Sequence, residues 1–207
     1  MFALVDKSDN SITRMYSGNK GITLGDLQYP KAIFTLWSEA ERNAINIYTV
    51  TIDETNRKDE KWYINTNITY AFDGTNATGS YGTATAKRHA DTTWTQEQID
   101  DGDAPDGADT ETVATRGLKY NLIQTVKAQA EGELNRTDWY ITRKAEKNTA
   151  IPSAITTHRD AVRSKQDSMC TAITNASDTP ALETLYTYTT NDSGVTSRPL
   201  GELPTLE

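Results

Sequence analysis

The segment from Thr112 to Ala176 carries two apolar stripes at helical spacing. The first stripe recurs every four residues and the second every seven, with Ile173 beside it; the members are Leu118, Leu122, Val126, Ala130 and Leu134, then Ile155, Val162, Met169 and Ala176. Residues four apart lie on one face of an α-helix. Since neither helix can bury its stripe alone, the pattern predicts an antiparallel helical hairpin.

The residues before this segment predict β-structure. The expected strands are Phe2–Val5, Ile12–Tyr16, Tyr48–Ile52, Trp62–Phe72 and Thr78–Ala86. They are rich in β-branched and aromatic residues and are separated by polar turn clusters, which favours antiparallel pairing through hairpins. Ser38 and Glu41 have the spacing of a capping box, so a short helix should begin after Ser38.

A change in composition predicts how the chain is divided. Residues 96–111 combine glycine, proline and like charges, which cannot form a core. We therefore predict a β-rich domain at 1–95, an acidic linker at 96–111, a helical domain at 112–185 and an extended C-terminal arm at 186–207. The expected fold class is α+β, with an antiparallel β-rich N-terminal unit followed by the antiparallel helical hairpin and an extended C-terminal tail.

Net charge and cysteine content restrict the partners and the compartment. The formal net charge of -8 disfavours nucleic acid and anionic membrane surfaces, because both require a basic patch. Cys170 is the single cysteine, so no internal disulfide is possible. The apolar run Met1–Val5 is too short for a signal peptide, and we expect the chain to stay in a reducing cytoplasm.

The sequence contains no motif of an enzyme or of a cofactor site. His89 and His158 lie far apart, and one cysteine cannot complete a zinc set. No glycine loop ends in Lys-Ser or Lys-Thr, so a phosphate-binding loop of that kind is absent. A distributed active site would leave no local signal. We predict a protein without catalytic residues, metal or cofactor.

The acidic run partly matches a calcium-binding loop. Asp101, Asp103 and Gly107 follow its pattern, but Pro105 occupies the third ligand position. We therefore predict an exposed acidic linker, and whether this run binds a cation stays open.

Trp139, Arg159 and Arg163 are the candidate residues of the helical domain. Trp139 has two interpretations. In the favoured one it closes the hairpin as a core aromatic packed between the two stripes, and in the other it contacts a partner. Arg159 and Arg163 lie one turn apart on the same face, where they form either a solvated face or a partner contact. Arg163 is also spaced to pair with Asp167.

Three leucines recur every third residue near the end of the chain: Leu200, Leu203 and Leu206. An extended or polyproline-like chain has three residues per turn and would present all three along one edge. The segment is therefore predicted either to dock on another protein or to lay its leucines on its own domain.

Two short motifs resemble the phage tail assembly chaperone-like domain, the family around tail fibre assembly proteins. The first is Leu134-Asn135-Arg136-Thr137-Asp138-Trp139, and the second is His158-Arg159-Asp160-Ala161-Val162-Arg163, with Pro152 in the connector. The family pattern has a Thr/Ser-Asp-Trp step and then Tyr-Arg-x-x-Leu-Arg. His158 stands in place of its tyrosine and Val162 in place of its leucine, and the match covers residues 112–176.

The resemblance implies a non-enzymatic bacteriophage tail-associated structural or adaptor protein. It would hold tail or tail-fibre subunits through protein–protein contacts in the virion. The alternative that it implies is a transient tail fibre assembly chaperone that is absent from the mature particle. The partners would be other phage tail or fibre proteins. Whether the chain also forms a homo-oligomer stays open. The expected location is the virion tail, and the host cytoplasm during assembly.

Overall fold

The computed structural model describes residues 1–206, which divide into two compact units, Met1–Thr85 and the chain from Ala86 onward. Both helices and strands are present, and a strand-rich sheet in the N-terminal part is followed by helices. The predicted α+β class is therefore confirmed.

The first unit is built on a five-stranded sheet in the order β2-β1-β5-β8-β7. Its elements are β1 (Phe2–Asp6), β2 (Ser11–Tyr16), β3 (Ile22–Leu24), β4 (Leu27–Tyr29), a 3₁₀ helix (Lys31–Phe34), α1 (Glu39–Ala44), β5 (Ile47–Asp53), β6 (Tyr63–Ile64), β7 (Ile68–Phe72) and β8 (Ala77–Tyr81). The boundary between the units falls within the two-residue strand β9 (Thr85–Ala86). The β1–β2 hairpin and the capping box of Ser38 and Glu41 confirm the sequence predictions.

The sheet is mixed, which corrects the expectation of an antiparallel unit. β1 pairs antiparallel with β2 and β5, and β7 pairs antiparallel with β8. β5 and β8, however, run parallel, with Val50 opposite Ala77. A parallel pair needs a crossover of a dozen or more residues, and residues 54–76 provide it.

Strands β1 and β5, inside the sheet, contribute to apolar clusters on both of its faces. Successive side chains of a strand point to opposite sides, so each strand serves two apolar clusters. Ala3 and Val5 join the cluster that contains Tyr48, Val50, Phe72 and Ala77. Ile47 joins the opposite cluster, which contains Ile22, Ile33 and Phe34. This two-sided burial gives the unit a core of its own.

Two predicted strands are shorter than expected. The predicted strand Trp62–Phe72 is divided into β6 and β7, and the return strand ends at Tyr81 instead of Ala86. The hydroxyl of Thr66 accepts the amide hydrogen of Gly82 at 2.7 Å. A side chain therefore replaces a backbone partner between the two segments, and this interrupts a regular ladder.

The second unit contains most of the helical residues. Its elements after β9 are β10 (Thr92–Thr93), α2 (Gln96–Asp100), β11 (Val113–Thr115), α3 (Leu118–Asn135), α4 (Asp138–Lys147), α5 (Ser153–Asn175), α6 (Thr179–Tyr186), β12 (Thr189–Thr190) and β13 (Thr196–Ser197). Both apolar stripes fall on long helices that pack on each other, α3 and α5, except that Ala176 lies just after the last residue of α5. Their buried apolar residues are Leu122, Val126, Ala130, Ile155, Val162, Met169 and Ile173.

The boundary between the units lies ten residues before the predicted one. The backbone before β10 is bonded to the start of α3, because the amides of Leu118 and Lys119 donate to the carbonyls of Arg88 and His89 at 3.1 and 3.0 Å. Residues 86–95 therefore belong with the helices.

The acidic run is part of the second unit and contains a helix. Thr95 caps α2 through a capping box with Gln98. The strands on either side of the run, β10 and β11, pair antiparallel, with Thr92 opposite Thr115. The ends of the run are thus held together by a short ladder.

Asp91 fixes the N-terminus of α3, and this predicts an effect of pH. Its carboxylate accepts the amide hydrogen of Gly117 at 2.7 Å and a hydrogen from Arg116 at 2.6 Å. The Gly117 amide, followed by Arg116, lowers the pKa of Asp91 below its ordinary value. A lowered carboxyl pKa contributes stability above the pKa of the unfolded state, and this is lost as pH falls through the folded pKa.

We expect Asp91→Asn to remove part of the acid sensitivity of the second unit. In urea titrations below about pH 4, the variant should lose less stability per pH unit than the wild type. Asp106→Asn is the control, since Asp106 forms no hydrogen bond with any residue in 1–206. Equal acid slopes for the wild type and Asp91→Asn would contradict this role.

Candidate partner-binding surface

Arg159 joins the two motifs that the sequence analysis identified. Its side chain is buried, with a residue exposure of 8%. One guanidinium nitrogen, Nη1, donates to the carbonyl oxygen of Leu134 at 2.8 Å, to Oγ1 of Thr137 at 2.7 Å and to Oδ1 of Asp138 at 2.8 Å. The last turn of α3 and the first residue of α4 are therefore fixed to the first half of α5.

Thr137 shapes the turn between α3 and α4. It is 1% exposed, and both its amide and its hydroxyl donate to the carbonyl oxygen of Leu134, at 3.0 and 2.9 Å. The amide of Tyr140 then donates to the carbonyl oxygen of Thr137 at 3.1 Å. This sets the direction in which α4 leaves the end of α3.

Trp139 does not close the two stripes, which corrects the favoured prediction. Its side chain is 51% exposed. The buried position at the end of α3 is occupied by Thr137 and Arg159, so the indole projects outward from the first turn of α4. An exposed indole is compatible with the second interpretation, a partner contact, which stays a prediction.

Two neighbours organise the exposed indole. The ring centroids of Trp139 and Tyr140 lie 3.7 Å apart. The guanidinium carbon of Arg143 lies 4.7 Å from the Trp139 centroid and 5.4 Å from that of Tyr140. We call these three residues the α4 aromatic patch. A cation near two adjacent rings, tilted by 32° to each other, holds them in one arrangement and so reduces the entropy lost on binding.

The rest of α4 is also accessible. No residue of this helix is buried, and Ile141 is 43% exposed. Lys144 and Lys147 lie in its last turn, and neither they nor Arg143 forms an ion pair with any residue in 1–206. An aromatic helix with unpaired cations on an acidic chain is suited to a partner with carboxylates.

The two arginines proposed for partner contact have different environments. Arg159 is internal, so its guanidinium is not accessible to a partner; its three acceptors explain the burial. Arg163 is exposed and pairs with Asp160 at 3.2 Å, in place of the predicted Asp167. An exposed pair of this kind contributes little stability.

The tail leucines are not equivalent. Leu200 is 2% exposed, and its amide donates to the carbonyl oxygen of Leu185 at 3.0 Å. Leu203 and Leu206 are half-buried. Leu203 lines a cleft with Met169 of α5 and residues of α3. Leu200 therefore packs in its own unit and is not a free anchor for a partner.

The predicted C-terminal arm is not one continuous extended segment. The strands β12 and β13 pair antiparallel within it, so the chain reverses direction there. Arg198 holds the next part: its guanidinium carbon lies 5.2 Å from the Tyr186 centroid and 5.3 Å from that of Tyr188. It also pairs with Glu202 at 2.7 Å.

Thr137, Tyr140 and Arg143 are site residues that sequence reasoning missed. The spacing of Trp139 and Arg143, four residues apart, was an available signal, since such residues meet on one helix face. His158 is also buried, and its Nε2 atom has no hydrogen-bond partner within residues 1–206.

Within residues 1–206, no three His, Cys, Asp or Glu side chains are grouped so that they could hold a metal ion. In the same range no helix combines the length and the apolar character needed to cross a bilayer. Cys170 is half-buried, and burial raises the pKa of its thiol.

No family model, curated protein or solved structure matches this chain. The α4 aromatic patch is therefore the main indication of a role. Arg159 positions this patch, because it binds Asp138 at the start of α4.

Proposed function

We propose that the protein is a non-enzymatic bacteriophage tail-associated structural or adaptor protein, and that it holds tail or tail-fibre subunits through the α4 aromatic patch. The observation that carries the proposal is the half-exposed Trp139 on a helix without a buried residue. The resemblance of residues 134–139 and 158–163 to the phage tail assembly chaperone-like domain supports the class of partner.

The composition of the patch supports protein–protein contact. Trp, Tyr and Arg are the residue types that most often dominate the binding energy of interfaces, and Trp139, Tyr140 and Arg143 supply one of each. Their cation–π contacts organise them before binding. Lys144 and Lys147 add positive charge nearby, so carboxylates on the partner would strengthen the contact and guide the encounter.

The arrangement of the helical unit is also part of this proposal. At one end Lys119 of α3 donates to the carbonyl oxygen of Thr174 of α5, and at the other Arg159 of α5 donates to that of Leu134 of α3. These bonds support an antiparallel helical hairpin that carries α4 at its turn. Arg163, Leu203 and Leu206 are secondary candidates for partner contact, because they are not fully buried.

The second candidate function is a transient tail fibre assembly chaperone. It is favoured by the separate cores of the two units, since the free chain then needs no partner in order to fold. Mass spectrometry of purified virions distinguishes the two roles. The chain is present in the particle if it is a structural component, and absent if it is a chaperone.

Trp139→Ala should weaken binding without unfolding the protein. Because the indole is half-exposed, we expect a stability change below about 1 kcal/mol. Loss of an interface aromatic costs about 2 kcal/mol or more, so recovery of the tagged chain with tails or tail intermediates from infected cells should fall more than about tenfold. Tyr120→Ala is the matched control, since Tyr120 is 38% exposed beneath the guanidinium of Arg116.

Two results would count against the proposal. The first is normal recovery of Trp139→Ala with tail material. The second is a large loss of thermal stability in that variant, because the indole would then be a structural residue. An equal loss of recovery for Tyr120→Ala would show that the effect is not specific to the α4 aromatic patch.

A further inference from the structure

A small cleft lies in the first unit, whereas the residues of the proposed interface belong to the second. It has a volume of about 350 Å³ and is lined by ten consecutive residues, from Arg14 to Thr23. These residues are the end of β2, the connecting loop Ser17–Gly21 and the start of β3. The concave side of a single loop therefore forms the whole cleft.

Two glycines hold the backbone of this loop close to its neighbours. Gly18 has a φ of +77°, and a Cβ atom there would lie 3.0 Å from Cε2 of Phe2. At Gly21 a Cβ atom would lie 2.6 Å from the carbonyl oxygen of Tyr29. The first position needs a left-handed conformation and the second needs close backbone approach, which glycine permits. The conformation of the loop is therefore set by its close contacts with Phe2 and Tyr29.

The loop presents free hydrogen-bond donors. The amides of Gly18, Asn19 and Lys20 form no hydrogen bond with any residue in 1–206. Consecutive amides next to a left-handed residue form a concave site that binds anions. Such donors need a water or ligand partner.

The charge of the cleft is opposite to that of the chain. Arg14 and Lys20 line it, and no Asp or Glu does. Neither cation forms an ion pair within residues 1–206; the Arg14 guanidinium lies 5.4 Å from the Tyr16 ring centroid. In a chain with a formal net charge of -8, two unpaired cations on one loop create a local site for negative charge.

We propose that this cleft binds a small organic anion through a phosphate or carboxylate group. The amides of residues 18–20 would donate to the oxyanion, and Arg14 and Lys20 would neutralise its charge. The cleft is larger than a bare ion, which leaves room for an organic part of the ligand. The site is independent of the proposed tail function.

Amide chemical shifts of the full chain, titrated at low salt with inorganic phosphate and separately with acetate, test this. We expect saturable shifts at Gly18, Asn19 and Lys20. Stronger binding of phosphate identifies a phosphate group, and comparable or stronger binding of acetate identifies a carboxylate. The double variant Arg14→Gln, Lys20→Gln should bind at least about tenfold more weakly, as expected for loss of two charge-assisted hydrogen bonds.

Lys58→Gln is the control, since Lys58 is an exposed lysine of the same unit outside the cleft. Its binding should equal that of the wild type. The proposal is overturned by shifts that do not saturate with either anion, or by unchanged binding in the double variant. If the double variant is unfolded, anion binding by the single variant Lys20→Gln tests the proposal, because the exposed side chain of Lys20 has no role in packing.

Discussion

Replacement of Arg159 by methionine is expected to lower the free energy of unfolding of the second unit by about 3 kcal/mol. Methionine fills a similar volume but removes the charged donor that the carbonyl oxygen of Leu134, the hydroxyl of Thr137 and the carboxylate of Asp138 share. Removal of one partner from a buried polar group costs more than the net value of the bond. The expected loss of stability is at the lower end of the range for a broken buried ion pair, because Asp138 is half-exposed to water.

Arg159→Lys is the matched variant. The three acceptors converge on one nitrogen of Arg159, which has two N–H hydrogens to share among them, whereas a lysine ammonium carries three. We therefore expect lysine to retain part of the stability that methionine loses. Urea unfolding followed by helical circular dichroism measures both variants. Methionine and lysine variants of equal stability would show that the polar contacts do not stabilise the unit.

The second large effect is expected for Leu200→Ala, which should destabilise the same unit by about 2–4 kcal/mol. Leu200 is 2% exposed, and truncation would leave a cavity beneath the segment that follows β13. The backbone bond from Leu200 to Leu185 would also lose its apolar cover. Urea unfolding measures the loss, and protease cleavage near the C-terminus should become faster.

Leu203→Ala serves as the control, because Leu203 is only half-buried. We expect a loss below about 1 kcal/mol for this variant, as for most accessible positions. Leu200→Ala with wild-type stability would contradict the packing of Leu200. It would restore the first interpretation of the tail, in which all three leucines are available to a partner.

The long helices and the first hairpin could be predicted because their signals are local. The stripes on α3 and α5 repeat at the helical period, and the polar turn between β1 and β2 lies within the hairpin itself. The capping box at Ser38 likewise involves residues three apart. Patterns of this kind depend on few distant contacts, so the sequence alone contains them.

The environment of Trp139 could not be predicted from local patterns. A tryptophan at the end of an apolar stripe favours burial, whereas arginine is seldom fully buried unless it is paired. The structure has the reverse arrangement, because Arg159 finds acceptors 21 to 25 residues earlier in the chain. Only tertiary packing brings these groups together. The predicted burial of Trp139 was therefore wrong, and its contact with a partner stays a prediction.

The parallel pair and the unit boundary were missed for the same reason. β5 and β8 are separated by more than twenty residues, and Asp91 meets Gly117 across 26 positions. Composition at residues 96–111 indicated a linker, but it contained no information on which distant segment would pair with the flanking strands.

The short ladder between β10 and β11 makes the acidic run a closed loop. Since Thr92 and Thr115 are neighbours, the run begins and ends at one place. Cleaving its backbone would leave both sides paired at the base. A longer run would lower the free energy of unfolding only slightly, because the closure entropy of a loop grows slowly with its length. The run is therefore a permissive position for inserting a tag or a whole domain.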